Sequence, residues 1–161
     1  MTWRIRDMGP EDAAGKGYVH YASWQETYRG LVPETVLTRQ NLARCQENAR
    51  SYPENTLVAD MDGKIVGFAR YGPCRDSDLP DCGEVIAIYV LKEAQGLGVG
   101  RALMDAALKK LSAFPAIAIW VLKGNEQAIG FYAHYGFRFD GALREIEAGT
   151  VLRMAYRRPQ L

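Results

Sequence analysis

At 161 residues, 48% hydrophobic and 24% charged, the chain has an ordinary globular composition and the length of one domain, able to bury roughly 70% of the surface its unfolded form exposes. Twenty Lys and Arg stand against nineteen Asp and Glu, a net charge of +1, which excludes a general attraction to nucleic acid or to an anionic membrane and leaves room only for a local basic patch. No run approaches the roughly eighteen apolar residues of a membrane span, the first residues lack a signal-peptide core, and three unpaired cysteines with two histidines give no metal-ligand spacing, so a reduced cytoplasmic protein without a metal is expected.

Taken in order, residues 3–6 alternate and predict a first strand. Pro10, with Glu11 and Asp12 in the first turn, opens a helix that Gly30 closes. Ala14, Tyr18, Tyr21, Ala22, Gln25 and Tyr28 share one stripe of it, with Trp24 alongside. A second helix is predicted over 38–50. Residues 56–61 and 64–71 read as strands joined through Asp62-Gly63, where glycine accepts the positive φ of a tight turn. Residues 72–83 follow as a long polar loop of the kind that often borders a binding site.

The seven residues 85–91 are apolar almost without interruption, which predicts a strand covered on both faces. From Val99 the period changes: Val99, Leu103, Ala107 and Leu111 recur every four residues, with Lys109 and Lys110 near the end and Pro115 beyond, predicting a helix. Residues 116–122 form another buried strand, parallel to the first because a helix crosses between them. Asn125 caps a helix with Ala128, Phe131, Tyr132 and Tyr135 on its apolar stripe, and Gly136 stops it. Residues 137–146 and 150–156 form a last strand pair.

The most informative stretch is Gln95-Gly96-Leu97-Gly98-Val99-Gly100-Arg101, at the head of the helix that follows the apolar strand. A helix start presents amides without intrahelical partners and a partial positive charge, so it suits an anion. Glycines there admit a bulky one, and Arg101 adds a cation. A P-loop would need Gly-Lys-Ser/Thr where Gly100-Arg101-Ala102 stands, and a dinucleotide fingerprint would need a third glycine where Arg101 or Leu103 stands. The remaining pattern, Gln95-x-x-Gly98-x-Gly100 between strand and helix, resembles the acetyl-CoA motif of the GNAT superfamily of N-acetyltransferases. The run 117–122, followed by the Asn125 helix ending in Phe131-Tyr132-x-x-x-Gly136-Phe137, resembles that family's second signature. Trp24-x-x-x-Tyr28-x-Gly30-x-x-Pro33 is similar to a signature of its small bacterial members, so the resemblance covers nearly the whole chain.

The resemblance implies a single α/β (α+β) domain over 1–161. Its mixed, mostly antiparallel sheet would have six to seven strands and about four flanking helices, with central parallel strands splayed to admit acetyl-CoA. It implies cosubstrate contacts from Gln95, Gly96, Leu97, Gly98, Val99, Gly100, Arg101 and Ala102, with amides from Leu91 through Ala102 on the pantetheine arm and pyrophosphate. Asn125 and Tyr132 would join them, and backbone N–H groups around Ile88, Tyr89 and Val90 would hold the oxyanion.

Acetyl transfer to an amine needs a proton removed from the ammonium and one supplied to the departing thiolate. By the same resemblance Glu84 is the candidate base, in an apolar setting that would raise its pKa, unless it is a strand-start glutamate or an ion-pair partner; Asp81 and Glu145 are reserves. Tyr132 is the candidate acid, unless it is a core tyrosine. Trp24, Tyr28 and Arg29 are candidates for the acceptor wall, with a core role equally open for the two aromatics. A covalent role for Cys74 or Cys82 finds no histidine to orient it. The acceptor is a small-molecule or peptide amine, and a homodimer is compatible. Two alternatives from the same resemblance are a non-catalytic acyl-CoA-binding module and a toxin acetylating aminoacyl-tRNA, the second disfavoured by the near-neutral charge.

Overall fold

Seven strands and five α-helices account for most of residues 2–159, the portion described by the computed structural model. In chain order they are β1 (Trp3–Asp7), α1 (Ala13–Tyr28), α2 (Glu34–Arg39), α3 (Leu42–Ser51), β2 (Thr56–Met61), β3 (Lys64–Pro73), β4 (Gly83–Val90), α4 (Val99–Lys110), β5 (Ala116–Leu122), α5 (Glu126–Tyr135), β6 (Arg138–Ile146) and β7 (Gly149–Arg157).

Pro10 starts a single 3-10 turn, Pro10–Asp12, that leads into α1, and the chain leaves the helix before Gly30, whose φ is +87°. The one helix predicted over 38–50 is two. The Asn41 side chain accepts a hydrogen bond from the Arg44 amide at 2.9 Å and caps α3, so the helix count is five rather than about four. Gly17 lets α1 and α3 cross closely, because a Cβ at that position would stand 2.5 Å from Gln46 Cα. The loop predicted at 72–83 is shorter than expected: β3 runs to Pro73, β4 begins at Gly83, and the Cys74 amide still donates to the Cys82 carbonyl at 2.9 Å.

The sheet order is β1-β2-β3-β4-β5-β7-β6. Every adjacent pair is antiparallel except β4 and β5, which run parallel, as the helical crossover requires. That central contact is brief. Only Gly83 with Ile117 and Glu84 with Ala118 are in register, and beyond them the two strands part. Successive residues of β3 set the layers, since side chains alternate along a strand. A Cβ on Gly67 would meet Leu103 of α4, whereas the Phe68 ring lies under Lys16 of α1, so α1 and α4 cover opposite faces. The main core joins Val99, Leu103, Met104 and Ala107 of α4 to Phe68, Ile117, Ile119 and Met154, and a smaller cluster gathers Val32, Leu37, Leu122 and Ala148 near Trp24 and Tyr28. Among the described residues no helix is long and apolar enough to cross a membrane.

Candidate active site

Where β4 and β5 separate, a cavity of about 380 Å³ opens between them. Its sides are Ile86 to Val90 of β4 and Ile119 to Val121 of β5. Its ends are Ser23, Thr27 and Tyr28 of α1, the head of α4 with Gln95, Gly96, Gly98, Gly100 and Arg101, and Asn125, Gln127, Ala128, Phe131 and Tyr132 at α5. Most of the residues expected to bind coenzyme therefore line one space, together with Tyr28 of those expected near the acceptor.

The α4 head is built by backbone conformation. Gly96 and Gly98 have φ of +81° and +86°, a region closed to most side chains, and Gly98 is the N-cap with no side chain capping the helix. Gly100 differs. A Cβ there would stand 3.8 Å from Phe131 and Val90, ordinary contact, so the protein's own packing leaves room for one. The expected run of donor amides from Leu91 through Ala102 narrows. Leu91 donates to Val66, Lys92 to the Glu26 carboxylate, Ala94 and Gln95 within the turn, and Ala102 to Gly98. What is left for a ligand is the cluster at the α4 head. Among the expected contacts, the side chains of Leu97 (exposed), Val99 (buried in the core) and Ala102 lie outside the lining, whereas Gln95, reaching back to the Val90 carbonyl at 3.2 Å, lies within it.

Ile88, Tyr89 and Val90 pair with β3 along one edge, so the other edge of β4 faces the cleft. Asn125 caps α5, as expected, through its side-chain oxygen, 3.3 Å from the Ala128 amide, and it also lines the cleft. Tyr132 lines the cavity with Tyr28 and Tyr89, whose hydroxyls are 3.2 Å apart. Burial raises all three phenol pKa values, reinforced for Tyr132 by the nearby Tyr28 and offset for Tyr28 by its hydrogen bond to Tyr89. All three are protonated at neutral pH.

Glu84 departs from expectation. It is 1% exposed but not in an apolar setting: Arg75 turns back from the loop to bond its carboxylate through Nη2 at 2.7 Å, Nε at 3.1 Å and its own backbone N–H at 3.1 Å. It lies outside the cavity lining, as do Asp81, which is exposed, and Glu145, which accepts from the Thr150 hydroxyl at 2.7 Å. No aspartate, glutamate or histidine lines the cleft among the described residues. Of the acceptor candidates Tyr28 lines it. Trp24 packs edge-on against Tyr28 with ring centroids 4.7 Å apart, and Arg29 is exposed and bonded to Gln25 at 2.8 Å; neither is in the lining. Cys74 and Cys82 also lie outside it.

Two groups escaped the sequence reading. Ser23 and Thr27, four residues apart and hence on one face of α1, line the cleft. Asp76, in the loop, accepts from Trp120 Nε1 at 2.9 Å, Arg153 Nη1 at 3.1 Å and Arg144 Nη2 at 3.2 Å. Arg153 also bonds Asp78 and Asp140, and the Arg144 guanidinium lies 4.5 Å from the Trp120 ring centre. The loop is thereby fastened to β6, to β7 and, through Trp120 on the cleft wall, to β5.

Topology and site together place the chain among acyltransferases. The Acetyltransferase (GNAT) family matches residues 15–137, and the chain belongs to it. It is 33% identical over 135 residues to the uncharacterized N-acetyltransferase YuaI of Bacillus subtilis (strain 168), covering 81% of this chain and 78% of the relative. It is 35% identical over 139 residues to a mycothiol acetyltransferase of Streptomyces griseus, covering 85% of this chain and 43% of that longer protein. The PaiA N-acetyltransferase of Thermoplasma acidophilum, solved in complex with coenzyme A, has the same fold, with a TM-score of 0.76 at 19% identity over 98% of this chain and 100% of the other.

Proposed function

We propose that the protein transfers an acetyl group from acetyl-CoA to a primary amine by direct attack in a ternary complex. The observation that carries this reading is the uncapped, glycine-built head of α4 opening onto the same cleft as Tyr132. Amides at a helix start, with Arg101 beside them, suit a diphosphate. The parted strands leave room for an extended arm, and the free edge of β4 offers backbone donors to a carbonyl oxygen that gains negative charge.

In the proposed reaction the amine nitrogen attacks the thioester carbonyl carbon, the C–S bond breaks, and the thiolate takes the proton of the Tyr132 phenol. The proton released by the amine passes to water and ultimately restores Tyr132. Glu84, neutralised by Arg75, is assigned to holding the loop base rather than to proton transfer. Tyr28 stands on the acceptor side.

Calorimetry with acetyl-CoA, paired with release of CoA thiol over a panel of amines, tests the proposal. Heat of binding and amine-dependent release are expected, and absence of heat overturns it. Tyr132→Phe is expected to lower kcat by about 100-fold while leaving acetyl-CoA affinity within a few-fold of wild type; an unchanged kcat removes Tyr132 from the reaction.

A further inference from the structure

Two of the three cysteines face each other across the base of one loop. The β3–β4 ladder pairs Gly72 with Glu84 and Pro73 with Gly83, and the Cys74 amide, donating to the Cys82 carbonyl at 2.9 Å, carries it one step further. Pro73 has no N–H to offer and falls on the non-hydrogen-bonded step, which leaves Cys74 and Cys82 directly opposite at a hydrogen-bonded one. The Cys82 amide then turns to the Leu79 carbonyl at 3.3 Å, and the ladder ends.

Residues opposed in this way direct their side chains to the same face of the sheet, with Cα atoms about 5.5 Å apart. Disulfides span Cα separations of about 4.4 to 6.8 Å, so the backbone already stands where such a bond needs it. Both thiols are free and half-buried, whereas Cys45 is 1% exposed beneath α3. Burial, followed by the negative charge of Glu84, Asp76 and Cys82, raises the Cys74 pKa against a hydrogen bond from the Asp76 amide, so the neighbouring thiol is close enough to be felt. Neither thiol lines the cleft. The partner the fold offers each of them is the other.

We propose that Cys74 and Cys82 form a reversible thiol–disulfide site, oxidised by a low-molecular-weight disulfide to an intrachain bond that closes the base of the 74–82 loop. One cysteine thiolate attacks a sulfur of the small disulfide, whose S–S bond breaks and releases one small thiol. The second cysteine, having lost its proton to solvent, attacks the protein sulfur of the mixed disulfide and releases the other. Two protein thiols are oxidised and one small disulfide is reduced to two thiols. In a reducing compartment bonds of this kind are transient and sense oxidation. Closure reinforces the loop whose Asp76 holds Trp120 on the cleft wall, and the site is independent of the acetyl-transfer reading.

The test exposes the full chain to oxidised glutathione at about pH 8.5, where thiolate is plentiful, then alkylates the remaining thiols in denaturant and maps the peptides. The expected product links Cys74 to Cys82, retains no glutathione and is alkylated at Cys45. Its Tm is expected to rise by about 3 to 10 °C and to return with dithiothreitol. Cys74→Ser and Cys82→Ser are each expected to lose that rise, and a rise surviving either substitution overturns the assignment. Glutathione kept on both cysteines, a bond from either to Cys45 or to a second copy, or resistance to oxidation by a chain that oxidises readily in denaturant also overturns it. A linked product whose Tm is unchanged or lower shows that the bond does not fit the native ladder, and the proposal falls.

Discussion

Lys16 illustrates how far a single side chain can depart from its ordinary chemistry in this fold. It is 2% exposed, its ammonium lies 4.5 Å from the centre of the Phe68 ring, and burial, followed by the nearby Arg70, lowers its pKa from 10.5 to about 8. The folded state thus holds fewer protons than the unfolded state between those values, so this group makes stability rise as pH increases from about 8 to 10.5. Lys16→Met is expected to raise stability at pH 7 by about 1 to 3 kcal/mol and to flatten that rise, read by denaturant unfolding at pH 7 and 9.5. A less stable variant would show that the ammonium is held by something stronger than the ring. Legibility varies at this scale. Tyr132 was readable because Phe131 and Gly136 frame it in a motif. For Glu84 the ion-pair alternative was open but its partner was not legible, since Arg75 sits nine residues earlier and meets it only where the loop folds back. Ser23 was unreadable: a serine inside a helix is commonplace, and its distinction, the lack of a partner, is a property of the surroundings.

Elements depend on a few crossings that tolerate no substitution. Gly17→Ala would put a methyl group 2.5 Å from Gln46 Cα, a backbone atom that cannot swing aside. α1 and α3 must then separate, at an expected loss of about 2 to 3 kcal/mol, seen in equilibrium unfolding; a loss below about 0.5 would mean the helices slide freely. The loop over 74–82 is held by charge. Burial acting alone would raise the Asp76 pKa, yet hydrogen bonds from Arg153, Trp120 and Arg144 outweigh it and hold the carboxyl below its ordinary value. Its stabilising contribution is therefore complete above the ordinary carboxylate range and lost as pH falls through the depressed value. Asp76→Asn is expected to cost about 3 kcal/mol at pH 7, with the gap from wild type narrowing below about pH 4. A gap independent of pH would deny the ion pairs their role. Most elements were legible from period and punctuation. The break between α2 and α3 was missed because neither Gly nor Pro marks it, and only the capping bond to Arg44 reveals the new start.

At the level of the whole molecule, the sheet is two blocks, β1 to β4 and β5 to β7, joined through two residue pairs of the parallel seam. A ligand gripping both sides of the seam should act as a tie. Acetyl-CoA at about 100 times its Kd adds about 2.7 kcal/mol, an expected rise in Tm of about 5 to 10 °C by scanning fluorimetry. A shift of under about 1 °C at that excess would mean that acetyl-CoA does not favour the folded state over the unfolded one. The parallel run of β4 and β5 followed from the helical crossover, whereas their parting was expected from the family resemblance alone and not from the residues of either strand. Alternation along a strand reports what covers its two faces, and Val85 to Val90 would read the same with or without a lateral neighbour.

That parting carries a consequence for solubility. An open sheet normally has two raw margins; here the divergence past Glu84 and Ala118 creates two more, turned toward each other inside the protein. Unpaired strand margins invite foreign chains to add on, but these are recessed between α1 and α5, where a slender extended molecule can thread and the flat side of another sheet cannot. The burden of self-association falls on the outer rim at β6, where Phe139 and Leu143 are exposed and the register breaks between them. The irregular stretch around Gly141, at a φ of +93°, bends that rim away from the straight template that aggregation needs.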